Sequence, residues 1–237
     1  MTEKKQRIWE LDALRGICII GMIVVHLFFD LRVFGGLNLT LPSWFVFIRS
    51  YGHVLFVLIS GICATLSSKT FKRGVSVLCA ALMISYATMY MEQILQMGDF
   101  RIWFGILHML GVCMVLYPLF RKLPWWSLLV IGVGFVALGF WFETITLSND
   151  YLFPIGLHSN KFFSADYFPI FPGLGWFLIG SALGKTLYKK GESLLPKWNE
   201  DFFLLRFFRF VGKHSLLIYL FHQPVIALIV IAVFSFI

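Results

Sequence analysis

The first long apolar stretch of the sequence contains four ionisable side chains: Asp12, Arg15, His26 and Asp30. In an α-helix, which turns about 100° per residue, Arg15 and His26 would point in directions about 20° apart. The two aspartates would lie within about 60° of one or the other. The spacing therefore predicts one polar stripe along an otherwise apolar helix. Ionisable groups inside a membrane span are energetically costly and commonly mark a functional site.

A guanidinium and an imidazole on one stripe suit different tasks, anion binding and proton transfer. Arg15 lies near the start of the stretch, and His26 lies about 16 Å further along at a rise of 1.5 Å per residue. We expect Asp30, one turn after His26, to contact the imidazole and fix its tautomer. The pattern also fits simple packing, in which Asp12 pairs with Arg15 and His26 hydrogen-bonds a neighbouring helix.

Two other apolar stretches carry polar side chains at helical spacing. Arg101 and His108 are seven residues apart, and Ser215, Tyr219 and His222 follow one face of the last stretch. We predict that both sets face the interior of a helix bundle, although each also fits an interhelical hydrogen-bond network. The sequence contains no HExxH motif, no His pair at i, i+4, no P-loop and no dinucleotide fingerprint. It therefore predicts no metal site.

The composition indicates what kind of fold positions these residues. Hydrophobic residues make up 59% of the 237 residues and charged residues 14%, whereas soluble domains have about 25% charged residues. The mean hydropathy is +0.83. This balance excludes a soluble nucleic-acid-binding domain, a disordered chain and a disulfide scaffold.

Seven apolar runs approach the roughly 20 residues that a membrane-spanning helix needs. They predict an all-α polytopic membrane protein, built as a single bundle and a single transmembrane domain over residues 1–237. The predicted spans are residues 11–31, 44–66, 74–95, 102–120, 126–147, 170–188 and 213–236.

Lys and Arg residues flank the predicted spans unevenly: fifteen lie on the side of the N-terminus and three on the opposite side. Because cytoplasmic loops are enriched in Lys and Arg, the N-terminus is predicted to be cytoplasmic and, with seven spans, the C-terminus to be outside. Residues 199–211 mix aromatic residues with Arg206 and Arg209, a pattern that predicts an interfacial amphipathic helix.

Several sequence blocks stand out: RIWELDALRG at 7–16, His26, Asp30-Leu31, GILH at 105–108, DYFPIFP at 166–172 and GKHSLLIYLFHQP at 212–224. Together they resemble the membrane acyltransferases related to heparan-α-glucosaminide N-acetyltransferase. The chain length is similar to that of the short bacterial members of this family. The ten residues between Arg15 and His26 also resemble the spacing in the wider superfamily of membrane acyltransferases that modify extracytoplasmic glycans.

The resemblance implies an acetyl transfer across a bacterial cytoplasmic membrane, from cytosolic acetyl-CoA to an extracytoplasmic sugar amine or hydroxyl. It implies that Arg15 contacts the coenzyme A phosphates and that His26 is the catalytic base or the acyl carrier. One feature departs from the family pattern, because the lysosomal enzymes place a catalytic histidine in the first outer loop. Residues 32–43 contain none, which leaves His26, His53 and His108 as candidates for that role.

With this resemblance, the candidate site residues form three groups. The catalytic group is His26, Asp30, His108 and His222; the cofactor-binding group is Arg15, Asp12, Lys213 and Arg73; and the substrate-binding group is Asp166, Tyr167, Arg101 and Tyr219. Acetyl-CoA is expected as the acyl donor. The expected partners are the lipid bilayer and a sugar or glycan acceptor, with no nucleic acid, and the oligomeric state is left open.

A small-molecule or proton-coupled membrane transporter is the alternative function. A relay of His, Asp and Arg inside a membrane serves proton-coupled transport as naturally as it serves acid–base catalysis. The sequence shows no sign of the inverted repeats found in many carriers. Stabilisation by coenzyme A would separate the two functions, because a carrier has no reason to bind it.

Overall fold

The computed structural model describes residues 7–33, 35–37, 40–95, 101–189, 191–195 and 202–234. In this part of the chain the secondary structure is helical apart from two isolated β-bridges, Phe104–Tyr167 and Thr146–His158. The helices are α1 (Trp9–Val33), α2 (Ser43–Leu66), α3 (Thr70–Leu95), α4 (Ile106–Phe120), α5 (Trp125–Phe142), a 3₁₀ turn (Phe153–Ile155), α6 (Ile170–Leu187), α7 (Phe203–Lys213) and α8 (Ser215–Phe234).

The prediction of an all-α polytopic membrane protein is confirmed. Six helices within the described residues are long and apolar enough to cross a membrane, namely α1, α2, α3, α5, α6 and α8. The predicted span 102–120 corresponds to α4, which is apolar but only 15 residues long. The orientation of the bundle and its exact number of spans stay predictions.

α4 begins at Ile106, four residues later than the predicted span, because the chain before it is paired with another segment. The backbone N–H groups of Ala165 and Phe168 donate to the carbonyls of Arg101 and Phe104, each at 2.9 Å. Residues 101–104 are therefore not helical, and the helix starts only after this pairing ends.

The interfacial helix predicted at 199–211 corresponds to α7, Phe203–Lys213, and residues 199–201 lie outside the described residues. Large apolar side chains of α7 are exposed, among them Phe203 at 78% and Phe210 at 60%. Such side chains suit contact with lipid, and the position of α7 at the membrane surface stays a prediction.

Contacts along the chain define two compact units. The terminal unit comprises residues 1–56 and 190–237, and the central unit comprises residues 57–189. In the terminal unit α1 crosses α7 at two glycines: a Cβ on Gly16 would collide with the Phe208 carbonyl, and one on Gly212 with the Asp12 carbonyl. The small residues bring the two helix backbones into direct contact.

In the central unit, glycines again mark the helix crossings. A Cβ on Gly61 would collide with the backbone of Phe177, and one on Gly180 would collide with the backbone of Leu58. The C-terminal half of α2 therefore lies directly against α6. α5 and α6 meet in the same way, with Gly132 against the Gly175 carbonyl. These backbone contacts hold α2, α5 and α6 close together, as small residues do in membrane bundles.

Candidate functional site

The central feature of the terminal unit is a pair of histidines from the first and last helices. Nδ1 of His26 on α1 lies 2.8 Å from Nε2 of His222 on α8, and the two rings are stacked with centroids 4.9 Å apart. His222 is buried at 8% exposure, and His26 is half-buried. Two residues 196 positions apart in the sequence are thus joined by one hydrogen bond.

The hydrogen bonds of His222 assign the tautomers of both rings. Nδ1 of His222 lies 2.6 Å from the Tyr219 carbonyl, and a carbonyl can only accept, so this nitrogen carries the proton. In a neutral ring the Nε2 atom of His222 is then an acceptor, and Nδ1 of His26 donates to it. This leaves the lone pair on Nε2 of His26, and the structure gives that atom no hydrogen bond within the described residues.

Asp30 does not contact the imidazole of His26 as expected. Its Oδ1 instead accepts a hydrogen bond of 2.9 Å from Nε2 of Gln223, and its exposure is 0%. The expectation fails because His222 occupies the proton-bearing nitrogen of His26, and the next residue of α8, Gln223, reaches the carboxyl group. His222, and not Asp30, therefore orients the His26 ring.

At the other end of α1, Asp12 and Arg15 do not pair with each other. Asp12 lies 3.9 Å from the Nε of Arg7, whereas the Nε atom of Arg15 is buried and has no hydrogen-bond partner among the described residues. Ile19, one turn beyond Arg15 on the same face, is only 2% exposed. The stripe thus consists of two polar groups separated by a packed apolar side chain.

The other candidates of the terminal unit are Tyr219 and Lys213. The Tyr219 ring lies 5.3 Å from that of His222, so this residue contacts the histidine pair with its ring as well as its carbonyl. Lys213, the last residue of α7, is exposed. Arg73 is exposed too, but it belongs to α3 of the central unit.

His108, in the central unit, has both ring nitrogens engaged. Its Nδ1 accepts a hydrogen bond of 3.2 Å from the Gly105 backbone N–H, so its Nε2 carries the proton and lies 3.3 Å from the Ser85 oxygen. The Ser85 hydroxyl donates its own hydrogen to the Ile102 carbonyl at 2.6 Å. With an exposure of 5%, His108 caps the start of α4, and its predicted catalytic role stays untested.

The three remaining substrate-binding candidates also make internal contacts in the central unit. Asp166 accepts a hydrogen bond of 3.1 Å from the Ile106 backbone N–H at the start of α4. Arg101 holds Glu92 through two hydrogen bonds, of 2.6 and 2.7 Å. The Tyr167 hydroxyl donates to the Phe153 carbonyl at 2.7 Å, and burial raises the pKa of this phenol.

Sequence reasoning missed Gln223, although it lies directly after a candidate residue. An amide side chain in an apolar span is a signal in its own right, because it must find a partner within the membrane. Among the described residues no group of three or more His, Cys, Asp or Glu side chains is placed to hold a metal ion.

The family model described as heparan-alpha-glucosaminide N-acetyltransferase, catalytic, matches residues 7–224 of this chain. The chain belongs to this family. The match includes α1 and the first half of α8, and hence both the His26–His222 pair and the Asp30–Gln223 pair. No curated protein and no solved structure matches the chain. With its long apolar helices, this member of the heparan-alpha-glucosaminide N-acetyltransferase family is an integral multi-pass membrane acetyltransferase.

Proposed function

We propose that the protein transfers an acetyl group from cytosolic acetyl-CoA to an amine or hydroxyl of an extracytoplasmic sugar, in a bacterial cytoplasmic membrane. The observation that supports this most directly is the hydrogen-bonded series from the Tyr219 carbonyl through His222 to His26. This series leaves a lone pair on Nε2 of His26, and a general base takes up a proton with such a lone pair.

In the proposed reaction, Nε2 of His26 takes the proton of the acceptor as its nitrogen or oxygen attacks the thioester carbonyl. His222 stabilises the resulting imidazolium, because its Nε2 accepts the hydrogen bond from Nδ1 of His26. The carbon–sulfur bond then breaks, and His26 returns a proton to the sulfur of coenzyme A. The same Nε2 atom could instead attack the thioester itself and form an acetyl-histidine. Acetyl label retained on the protein without an acceptor would identify the second route.

Arg15 is the proposed contact for the coenzyme A phosphates. Its Nε atom is buried with no partner among the described residues, and a buried guanidinium N–H needs an acceptor such as a phosphate oxygen. Eleven helical positions separate Arg15 from His26, about 16 Å along the axis, a length that an extended pantetheine arm can bridge. Lys213, in the same unit, is exposed and would act as a further point charge, and Asp12 would help to position this end of α1.

The test is reconstitution of the protein in sealed vesicles with glucosamine inside and labelled acetyl-CoA outside. For the molecules that present their basic side outward, we expect labelled N-acetylglucosamine to accumulate inside. Coenzyme A should also raise the thermal stability, by about 2.7 kcal/mol at a concentration of 100 Kd. A protein that is neither stabilised by coenzyme A nor able to transfer the label would contradict the proposal.

Arg15→Ala tests the donor site against a matched variant on the same helix. Arg15→Ala should raise the KM for acetyl-CoA and abolish most of the stabilisation by coenzyme A. Arg32→Ala removes an exposed guanidinium from the last turn of α1 and should change neither quantity. Equal effects of the two substitutions would show that general charge, and not a phosphate site at Arg15, controls donor binding.

A further inference from the structure

Within the part of the chain that the structure describes, Asp30 and Gln223 have two buried oxygen atoms without a hydrogen bond. Oδ1 of Asp30 accepts from Nε2 of Gln223 at 2.9 Å, but neither Oδ2 of Asp30 nor Oε1 of Gln223 has a partner among the described residues. Asp30 is 0% exposed. Buried polar atoms are rarely left unpaired, and those that are commonly mark a place for a further group.

Oε1 of Gln223 is an acceptor, and Oδ2 of Asp30 is an acceptor in the ionised form of the carboxyl group, which a ligand that donates N–H or O–H hydrogen bonds would favour. The side chain of Gln223 must present Nε2 to the carboxyl group, so its carbonyl oxygen is the atom left over. No Lys or Arg side chain within the described residues forms an ion pair with Asp30. The two oxygens belong to one hydrogen-bonded pair, and a single ligand group with N–H or O–H donors would satisfy both.

The location of this pair connects it to the proposed reaction. Asp30 is one helical turn after His26 on α1, about 6 Å along the axis, and Gln223 follows His222 directly on α8. Pro224 comes next and has no backbone N–H, so the Leu220 carbonyl also loses its usual helical donor. Acceptor oxygens thus gather beside the histidine pair, on the side of His26 away from Arg15.

We propose that Asp30 and Gln223 form a clamp that binds the sugar. The clamp accepts hydrogen bonds from the amino or hydroxyl groups of the sugar while the sugar lies beside His26 for acetylation. This inference rests on the proposed function. It assigns Asp30 to binding of the acceptor, in place of the orienting role expected from the sequence. Amine and hydroxyl groups share the necessary chemistry, since both donate hydrogen bonds to the two free oxygens.

The decisive substitution is Asp30→Asn, which changes one acceptor into a donor. Its amide oxygen takes the place of Oδ1 and keeps the hydrogen bond from Gln223, and its NH₂ group takes the place of Oδ2 and opposes an incoming N–H or O–H. The loss of a hydrogen bond in a buried site, with two donors left facing each other, is enough for a loss of about tenfold or more. We expect the KM for the sugar to rise by at least that factor, and the KM for acetyl-CoA to stay within about twofold.

The double variant Asp30→Asn, Gln223→Glu reverses the hydrogen bond between the two side chains. The asparagine NH₂ then donates to the glutamate, and one free acceptor oxygen again remains on each residue. We expect this variant to recover a large part of the sugar affinity that Asp30→Asn loses. Glu143→Gln removes a carboxylate from an exposed site at the end of α5 and serves as the control, with both KM values unchanged.

Steady-state kinetics with glucosamine and with glucose complete the experiment, and stabilisation of each variant by coenzyme A shows that it is folded. A larger KM increase for glucosamine than for glucose assigns the clamp to the amino group, and equal increases assign it to a hydroxyl. Unchanged sugar KM values in a folded Asp30→Asn protein would overturn the clamp while leaving the proposed function intact. A wild-type protein that acetylates neither sugar and is not stabilised by coenzyme A would overturn both.

Discussion

His26 and His108 are both histidines of apolar helices, yet their surroundings differ in one decisive respect. His108 uses both ring nitrogens within the protein, one as acceptor for the Gly105 N–H and one beside the Ser85 hydroxyl. Among the residues that the structure describes, His26 has a hydrogen-bond partner only at Nδ1, namely His222. An imidazole with both nitrogens engaged holds a helix start in place, whereas one with a free lone pair can exchange a proton with a ligand. The hydrogen-bond partners of the ring nitrogens therefore distinguish two histidines that look alike in the sequence.

The largest effect should come from His26→Ala. Loss of a general base lowers rates by about 10²–10⁴-fold, so we expect kcat to fall by that factor while the thermal midpoint stays near the wild-type value. His53→Ala removes another half-buried histidine, from α2, and is the matched variant. We expect its kcat to stay within about threefold of the wild-type value, a much smaller change than the loss of a general base causes. If the two variants exchange these outcomes, the catalytic imidazole is that of His53.

His222→Phe should have the next largest effect, because it removes the acceptor of the His26 Nδ1 proton. We expect kcat to fall by about 10–100-fold, as for other partners that orient a functional histidine, with little change in the KM for acetyl-CoA. In His222→Gln the side-chain oxygen can accept the same proton, so part of the activity should return. Equal activity of the Phe and Gln variants would show that His222 fills space and does not orient His26.

His108→Ala should act mainly on stability. It leaves the buried Gly105 N–H without its acceptor, and an unsatisfied buried group costs about 1–3 kcal/mol. We expect a lower thermal midpoint and a smaller loss of activity per folded molecule than in His26→Ala. Thermal unfolding and turnover measured on one preparation would check this, and a large loss of turnover without any loss of stability would return His108 to the catalytic group.

The smallest effect should be the pH dependence of a hydrogen bond accepted by Asp150, in the central unit. Its Oδ1 accepts a hydrogen bond of 2.7 Å from the Ser159 N–H, and hydrogen bonds from Ser159 hold the pKa of this carboxyl below its ordinary value of 3.8. The ionised form therefore stabilises the fold fully above that value, and the contribution is lost as the pH falls through the lower pKa of the folded state. We expect acid to expose the backbone amide of Ser159 to hydrogen exchange in wild type, and no such pH dependence in Asp150→Asn.

Sequence patterns predicted the helices of the fold better than the contacts of the site. Apolar runs located α1, α2, α6 and α8 closely, because a helix that crosses lipid must be apolar along most of its length. The start of α4 was placed too early, since the pairing of residues 101–104 with the segment before α6 depends on contacts distant in the sequence. Helical spacing placed Asp12, Arg15, His26 and Asp30 on one helix but could not name their partners.

The sequence by itself determined that this is a polytopic helical membrane protein of an acetyltransferase family, with costly polar groups on its first helix. The membrane fold and the polar groups follow from composition and from 3.6-residue periodicity, and the family follows from the resemblance of short motifs, none of which depends on which helices pack together. Only the tertiary structure decided that His26 meets His222, that Asp30 meets Gln223 and that His108 caps α4. The reason is physical: a hydrogen bond between residues nearly two hundred positions apart exists only after α1 and α8 have packed together, and helical periodicity contains no information about that neighbour.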